Sequence, residues 1–403
     1  MKKISAIFLS LALIFTFAFP CSAKTVSMEY EADDLNVPLE AVATVGEIGQ
    51  TLDIKAKSCI LMEAKTGKIL YEDNADEVTA PASITKIMSL VLIMEALDDG
   101  RLTLDTVVTA SEHAAKMGGS QIWLEPGEQM TVNDLLKATV IASANDATVA
   151  LAEAVSGSEE TFVNEMNKKA KAIGMNSTTF INCTGLDAEG HTTTAHDVAL
   201  MSRELIGHEL IKQYSTVWME TLRNGESELV NTNKLVRFYE GCTGLKTGTT
   251  SKAGYCLSAT AKRNGMELVA VVMDGQTSSD RFEGAKKLLN YGFANYTFSS
   301  LEADLKENTA VAVKNGTESA VTIKAGGKLD LLLKRNENGK ITQEISIEPE
   351  IIAPVKAGQK LGTVSFLLDG KEMGSVDIVA EKDVAKLGFG TVFLRLILCL
   401  FKL

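Results

Sequence analysis

The stretch that most constrains this chain is an apolar segment at residues 81–97 that opens with a serine and a lysine. Proline is favoured in the first turn of a helix, and Pro81 begins this one. The residues that follow are apolar on nearly every face except at Glu95, which predicts a buried helix. Its first turn carries Ser83 and Lys86 three residues apart, and therefore on one face.

A hydroxyl beside an ammonium at the start of a buried helix is typical of a serine nucleophile with a lysine as base or electrostatic activator. Ordinary composition also gives a chain of this length about one accidental Ser-x-x-Lys. Ser83 and Lys86 are therefore a candidate catalytic pair, and the rest of the chain decides between catalysis and chance.

A second candidate lies at Ser143-Ala144-Asn145, in the turn between two predicted helices. A hydroxyl and an amide at that place could relay a proton and hold a substrate amide. Serine and asparagine are also ordinary helix caps, and taken alone these residues favour the capping role.

A third candidate is Lys246-Thr247-Gly248-Thr249, which opens a predicted strand. A lysine and hydroxyls on a strand edge suit the recognition of a carboxylate, and Gly248 would let a substrate backbone approach closely. Residues 65–67 repeat the letters Lys-Thr-Gly, but the turn of a predicted hairpin explains them.

Charge and histidine pattern exclude other classes of function. The formal net charge is −12 and no basic run is visible, which argues against a nucleic-acid partner. The four histidines form no His-x-x-x-His pair, so we expect them in solvated or capping roles. No metal or cofactor is implied.

The N-terminus predicts an export signal over residues 1–23. Two lysines precede an apolar run and a small-residue cleavage site follows it, whereas an uncleaved membrane helix is disfavoured because the run is short and ends at Pro20. Residues 24–50 form an acidic leader. Five cysteines follow Cys21, widely scattered, so we expect mostly buried free thiols, with one disulfide left open.

The pattern of residues 51–297 predicts an α+β domain. Its antiparallel sheet would join N-terminal and C-terminal strands, with flanking helices and a helical subdomain inserted between them. The predicted segments are strands at 57–63 and 68–72, helices at 132–141, 146–156, 159–173 and 194–206, strands at 247–261 and 267–274 joined by an Asn264-Gly265 turn, and a helix at 280–293.

Two further regions follow this domain. Residues 298–382 contain six short alternating segments separated by turn residues, which predicts a small all-β domain of sandwich type. Residues 383–403 are strongly apolar, but Arg395 would lie deep in hydrocarbon if they spanned a membrane. We predict an amphipathic helix lying on a membrane surface; a buried terminal helix of the β domain is the alternative.

The three motifs occur in the order Ser-x-x-Lys, Ser-x-Asn and Lys-Thr-Gly, a set shared by penicillin-binding proteins and class A β-lactamases. Ala144 replaces the usual Asp of the second motif. Over nearly the whole mature chain the sequence resembles the low-molecular-mass penicillin-binding proteins that are D-alanyl-D-alanine carboxypeptidases (peptidase family S11), whose domain is β-lactamase/transpeptidase-like. The segments that carry the resemblance are 81–86, 118–120, 143–146, 180–186, 244–250, 253–256 and 291–293. Two residues depart from the family pattern, namely Cys183, where we expect proline, and Thr249, where some members have histidine.

The resemblance implies an acyl-enzyme mechanism on peptidoglycan stem peptides that end in D-Ala-D-Ala. Ser83 would attack the carbonyl of the penultimate D-Ala, and Lys86 would take its proton, which requires a partly neutral lysine. Burial and neighbouring positive charge, including that of Lys246, would lower the pKa of Lys86. Ser143 and Asn145 would relay a proton and position the peptide.

The remaining implied roles concern the terminal carboxylate and the transition state. Lys246 and Thr247 would engage the carboxylate, and the backbone N–H groups of Ser83 and Thr249 would form an oxyanion hole. Arg281 either assists with the carboxylate or is a surface arginine at a helix start. β-Lactam antibiotics would inhibit the enzyme, which is expected on the outer face of the bacterial cytoplasmic membrane.

Two alternatives remain at this point. A class A β-lactamase needs a glutamate that activates the deacylating water, and residues 160–164 superficially resemble that motif. They follow Ser143 too closely, in a helix where Phe162 and Met166 look like core positions. A non-catalytic penicillin-binding or wall-binding module is the other alternative, and the intact Ser83, Lys86 and Lys246 argue against it.

Overall fold

A five-stranded antiparallel sheet joins strands from both ends of the region 56–275. The computed structural model describes residues 51–305, 309–335 and 341–400, so the predicted signal peptide and leader lie outside the described residues. The strands of this sheet are β1 (Ala56–Glu63), β2 (Ile69–Asp73), β7 (Cys242–Thr250), β8 (Gly254–Arg263) and β9 (Met266–Gly275). Their order is β2-β1-β9-β8-β7, which confirms the predicted pairing of N-terminal with C-terminal strands.

Helices cover both faces of this sheet and fill the segment inserted between its strands. They are α1 (Lys86–Asp98), α2 (Glu112–Ala115), α3 (Val132–Ile141), α4 (Asn145–Ser156), α5 (Glu159–Ala172), α6 (Ala195–Ile206), α7 (Lys212–Ser215), α8 (Leu235–Phe238) and α9 (Ser278–Asn295). Two short ribbons, β3 (Val107–Thr109) with β4 (Gln129–Thr131) and β5 (Met219–Leu222) with β6 (Ser227–Val230), edge the helical part.

The alternation of side chains along a strand divides the interior into two cores. On β1, Ile60 and Met62 face the core that holds α1, α3, α4, α5 and α6. Leu61 faces the core beneath α9, with Phe282 and Leu288 of that helix. The predicted closing helix therefore packs on the sheet, which is buried on both sides.

Helix α1 is buried along almost its whole length, as its sequence predicts. The structure corrects how it begins: residues Ala82–Thr85 form a 3-10 turn, and the α-helix starts only at Lys86. Ala82 has a left-handed φ of 47°, a conformation that costs a non-glycine residue free energy and that recurs at functional sites. Gly100, also left-handed at 78°, follows the end of the helix, where glycine is favoured.

The predicted single strand over 247–261 was wrong. Two strands, β7 and β8, occupy this stretch, and β7 begins earlier, at Cys242. The turn between them carries Ser-Lys-Ala and closes at Gly254, which is left-handed at 63°. This glycine signal lies inside a β-rich stretch, and the strand prediction did not use it. The predicted Asn264-Gly265 hairpin turn is confirmed, with positive φ at both residues.

The C-terminal region is all β, as predicted. It contains β10 (Tyr296–Glu302), β11 (Ala310–Lys314), β12 (Ala320–Ala325), β13 (Lys328–Lys334), β14 (Ile341–Ile347), β15 (Glu350–Ile352), β16 (Lys360–Leu368) and β17 (Lys371–Ala380). β10 pairs with β13, and the others form a sheet in the order β14-β16-β17-β12-β11-β15. β10 and β15 were not predicted, and β10 runs across the expected boundary at 297.

Contacts between this region and the first sheet explain the repeated Lys-Thr-Gly at 65–67. Lys65 forms an ion pair with Asp330 and lies 5.1 Å from the ring centroid of Phe298. Lys65 is therefore a turn residue at an interface between the two regions. It does not belong to the third motif.

The last described element is α10 (Phe389–Leu400). The side chains of Phe389, Phe393 and Leu396 are 87%, 56% and 56% exposed, so the buried terminal helix that we considered does not describe them. Within the described ranges, no helix combines the length and the apolar character that a membrane crossing requires.

Burial of α1 makes a stability prediction. Ile93 lies in its middle with no exposed surface, so Ile93→Ala should lower the free energy of unfolding by about 2–5 kcal/mol through lost burial and a residual cavity. Val78→Ala is the matched control because that side chain is 51% exposed. Equal unfolding midpoints in urea for the two variants would contradict the buried placement.

Candidate active site

The 3-10 turn and the first turn of α1 bring the two residues of the first motif together. Lys86 Nζ lies 3.0 Å from Ser83 Oγ. Ser83 is partly exposed, whereas Lys86 has no exposed surface. A reachable hydroxyl thus sits against a completely buried amine, which is the arrangement of an activated nucleophile.

Two carbonyl oxygens also contact the buried amine. Lys86 Nζ donates to Asn145 Oδ1 at 2.6 Å and to the backbone oxygen of Thr184 at 2.7 Å. The first acceptor comes from the second motif, whose Asn145 was expected to position the peptide. The second comes from the segment 180–186, which carried the family resemblance but had no role assigned to it. Together with Ser83 Oγ they surround the nitrogen with three oxygen atoms.

Burial lowers the pKa of Lys86 to about 7, although Cys183 and Asp146 oppose the shift. The expected effect of burial is confirmed, whereas the expected contribution of Lys246 is not among the causes of this shift. Burial also lowers the pKa of Lys246 well below its usual value, and there the nearby charges of Lys86 and Arg281 add to it. Desolvation of an ammonium favours the neutral amine, so a substantial fraction of Lys86 is neutral near pH 7.

Two glycines hold the turn that carries Ser83. A Cβ atom on Gly185 would lie 1.8 Å from the backbone oxygen of Ala82, and one on Gly248 would lie 3.0 Å from the backbone nitrogen of Ser83. Gly248 therefore allows strand β7 to approach the nucleophile turn, which is a different reason from the substrate approach that the sequence suggested. The close approach of Gly185 and Gly248 on either side of this turn also accounts for the left-handed conformation of Ala82.

The second motif occupies the turn between α3 and α4, as predicted. Asn145 Nδ2 donates to the backbone oxygen of Gly118 at 2.5 Å, so its amide is fixed at both ends. Ser143 is 4% exposed with a left-handed φ of 61°. Among the described residues its buried Oγ has no hydrogen-bond partner, and such groups in native proteins call for an explanation.

The third motif lies on edge strand β7, next to the nucleophile turn. Lys246 is 1% exposed, and its Nζ donates to the backbone oxygen of Thr247 at 3.2 Å. Thr247 Oγ1 donates to Thr232 Oγ1 at 2.7 Å. Thr232 in turn bonds through its N–H to Ile141 of α3, so this loop ties the third motif to the helix before the second.

Arg281 is buried and not on the surface, which excludes the surface arginine that we considered. Its Nη1 donates to Thr249 Oγ1 at 2.9 Å and to the backbone oxygen of Gly248 at 3.2 Å. The guanidinium also lies 5.3 Å from the ring centroid of Tyr255. Arg281 therefore braces the part of β7 that borders Ser83.

Sequence reasoning assigned no role to Thr184 and Gly185, although they lie in the segment 180–186 that carries the resemblance, and it missed Thr232. Their contributions are a backbone oxygen, a missing side chain and a hydroxyl in a loop. Sequence reasoning was wrong about His191. That residue is buried, bonds Thr85 Oγ1 at 3.0 Å, and has its pKa lowered to about 4 by burial. Its ring is therefore a neutral part of the packing behind Lys86 and not solvated.

Two other expectations were confirmed. Cys59, Cys183, Cys242 and Cys256 are free thiols, and three of them are buried. Phe162 and Met166 are fully buried, as expected of core positions. Glu160, which begins the segment that resembles the β-lactamase glutamate motif, is exposed on the outer side of α5.

Comparison with known families agrees with this geometry. A family described as D-alanyl-D-alanine carboxypeptidase matches residues 44–277, more than half of the chain. The C-terminal domain of penicillin-binding protein 5 matches residues 298–386. The D-alanyl-D-alanine carboxypeptidase DacF of Bacillus subtilis is 44% identical over 85% of this chain and 89% of its own length. DacC of Escherichia coli is 36% identical over 83% and 86%.

Solved structures give the same result. Penicillin-binding protein 5 of Haemophilus influenzae is 32% identical, with a TM-score of 0.71 over 84% of this chain and 99% of that one. Penicillin-binding protein D2 of Listeria monocytogenes, solved with ampicillin bound, is 33% identical, with a TM-score of 0.56 over 60% and 100%. This chain therefore belongs to the serine D-alanyl-D-alanine carboxypeptidase family, peptidase family S11.

Proposed function

We propose that this enzyme removes the terminal D-alanine from peptidoglycan stem peptides through an acyl-enzyme on Ser83. The observation that carries the proposal is the fully buried Lys86 amine, 3.0 Å from Ser83 Oγ and bonded to two carbonyl oxygens. A neutral amine has two N–H groups and one lone pair. The two carbonyls take the N–H groups, which directs the lone pair at the serine hydroxyl.

Acylation follows from this arrangement. Lys86 takes the hydroxyl proton as Ser83 Oγ attacks the carbonyl carbon of the penultimate D-Ala. The Ser83 N–H and that of Thr249, on the strand that Gly248 brings against the turn, are the proposed donors to the developing oxyanion. Ser143 Oγ, buried with no partner in the described part of the chain, is the proposed relay that returns the proton to the leaving D-Ala nitrogen.

The terminal carboxylate of the substrate is assigned to β7. Lys246 is buried and its pKa is depressed, and an arriving carboxylate would favour its charged form. Thr247 adds a hydroxyl and Arg281 adds positive charge from behind Thr249. A β-lactam carries a carboxylate and a reactive carbonyl in a comparable relation, so it would acylate Ser83 and inhibit the enzyme. With the peptide substrate, water then releases the acyl group from Ser83.

Replacement of Ser83 tests the assignment. Purified wild type should release D-Ala from a D-Ala-D-Ala peptide and form a long-lived covalent adduct with penicillin at Ser83, visible by mass spectrometry. Ser83→Ala should lose both activities, by at least about 10³-fold for peptide release, because the nucleophile is gone. Rapid penicillin turnover without D-Ala release would instead identify a β-lactamase, and unchanged release by Ser83→Ala would exclude this mechanism.

The pKa of Lys86 predicts the pH dependence of acylation. Because burial lowers this pKa to about 7, the reactive neutral amine is scarce below that pH and predominates above it. The second-order rate constant for penicillin acylation should rise about tenfold per pH unit below pH 7 and level off above it. Stopped-flow measurement of acylation across this range gives the profile, and a flat one would contradict a lysine base.

We further propose that the enzyme is exported and acts on the outer face of the cytoplasmic membrane, held there by α10. The support is the export-type sequence of residues 1–23 and the apolar surface that Phe389, Phe393 and Leu396 present. An amphipathic helix with such a surface lies in the membrane interface.

Binding to lipid vesicles tests the role of α10. Phe389→Ser combined with Phe393→Ser should weaken co-sedimentation with anionic vesicles by at least about tenfold, because two exposed aromatic side chains no longer enter the interface. Phe238→Ser is the matched control, since this phenylalanine is also exposed, at 43%, but lies on α8. Equal binding by all the proteins would exclude α10 as the anchor.

A further inference from the structure

We propose that Glu159, which belongs to none of the three motifs, is a positioning residue that holds the backbone oxygen of Thr184 against the catalytic lysine. The inference deepens the proposed function and rests on it. The loop concerned, residues 182–185, is called the acceptor loop below.

Glu159 is the first residue of α5, and its side chain is only 16% exposed. Its Oε2 lies 2.7 Å from His113 Nε2 on α2, and its Oε1 accepts the backbone N–H of Cys183 at 3.1 Å. One carboxylate therefore connects α2, the start of α5 and the acceptor loop.

The acceptor loop reaches Lys86 one residue later. The backbone oxygen of Thr184 accepts from Lys86 Nζ at 2.7 Å. On its other side, Cys183 offers its own backbone oxygen to Ser89 Oγ of α1 at 2.6 Å. Glu159 and Ser89 thus hold the N–H and C=O of the same residue, which fixes where the next peptide oxygen points.

The orientation of that oxygen matters because the lysine depends on it. When neutral, Lys86 can aim its lone pair at Ser83 only while both of its N–H groups are engaged, by Asn145 Oδ1 and by the Thr184 oxygen. If the acceptor loop shifts, one N–H group is released and the amine can rotate away from the hydroxyl. The hydrogen bond from the Cys183 N–H to Glu159 lies one residue before the Thr184 oxygen. It would therefore alter the rate of acylation, although it does not involve the lysine itself.

The link depends on the residue at position 183. Proline, which the family resemblance led us to expect there, has no backbone N–H and could not donate to Glu159. Cys183 supplies that donor while its side chain stays fully buried. The departure at Cys183 thus gains a structural meaning, namely a tether from α5 to the acceptor loop.

The surrounding charges fit this role. Burial acts to raise the pKa of Glu159, but hydrogen bonds from His113 and Cys183 lower it below its usual value, so the carboxylate stays charged. The titratable groups that influence the pKa of Lys86 are Cys183 and Asp146, and Lys86 in turn lowers the pKa of Lys246. Glu159 acts on the lysine through the peptide bond that it holds, since it makes no direct contact with the amine.

The test compares penicillin acylation of the full chain by wild type, Glu159→Ala, Glu159→Gln and Glu160→Gln across pH. Glu159→Ala should slow acylation about tenfold above pH 7, the effect of one lost hydrogen bond to a charged group. The loss should shrink below pH 6. Without its carbonyl acceptor the Lys86 ammonium has a lower pKa, so at low pH a larger fraction of the variant's amine is neutral than in wild type. Glu159→Gln keeps an acceptor and should retain most of the rate, whereas the exposed Glu160→Gln should match wild type.

A fall by the same factor at every pH would show a merely structural role for Glu159 and overturn the proposal. So would a Glu159→Ala rate equal to that of Glu160→Gln. If thermal unfolding shows that Glu159→Ala is not folded, Ser89→Ala decides. It releases the other side of Cys183 and should reproduce the pH-dependent loss, and a wild-type profile for this variant would overturn the proposal. Failure of wild type itself to acylate at Ser83 would instead refute the proposed function, and this inference with it.

Discussion

The desolvation of one amine organises the catalytic half of this protein. Lys86 lies at the start of a helix with no exposed surface, and taking an ammonium out of water is expensive unless it is paired or becomes neutral. The chain supplies carbonyl and amide oxygens around it, and no carboxylate bonds it directly in the described structure. Dipoles satisfy the N–H groups without holding the proton as a carboxylate would, so the amine stays available as a base near neutral pH.

The contacts that satisfy the amine come from its own turn and from two distant parts of the chain. Asn145 follows α3, Thr184 lies in the acceptor loop, and Ser83 belongs to the turn that Gly185 and Gly248 clamp. Each is held in turn: Asn145 by Gly118, the acceptor loop by Glu159 and Ser89, and β7 by Arg281. Such support is what keeps a left-handed Ala82 and a left-handed Ser143 in place despite their cost.

The parts that could be predicted from the sequence are those where a side-chain type is itself the signal. Apolar periodicity identified α1, α5 and α9, turn chemistry identified the Asn264-Gly265 hairpin, and the three motifs identified the residues that meet around Ser83. The Thr184 oxygen left no such trace, because every residue carries a carbonyl. Gly248 was singled out for the approach of a substrate backbone, and its contact with the turn that carries Ser83 was not foreseen, since a glycine shows that something approaches closely but not what approaches. The reversal between β7 and β8 was missed because the glycine that closes it, Gly254, lies inside an otherwise β-rich stretch.

The order of strands in the five-stranded sheet has a consequence for how the enzyme comes into being. Strand β1 pairs with β9, and β7 reaches the nucleophile turn only as the far edge of the same sheet. Ser83 and Lys86 are therefore synthesised long before the residues that close their site. Pairings so distant in sequence form late in folding. A growing chain therefore carries its serine as an ordinary hydroxyl until the last strands join the sheet.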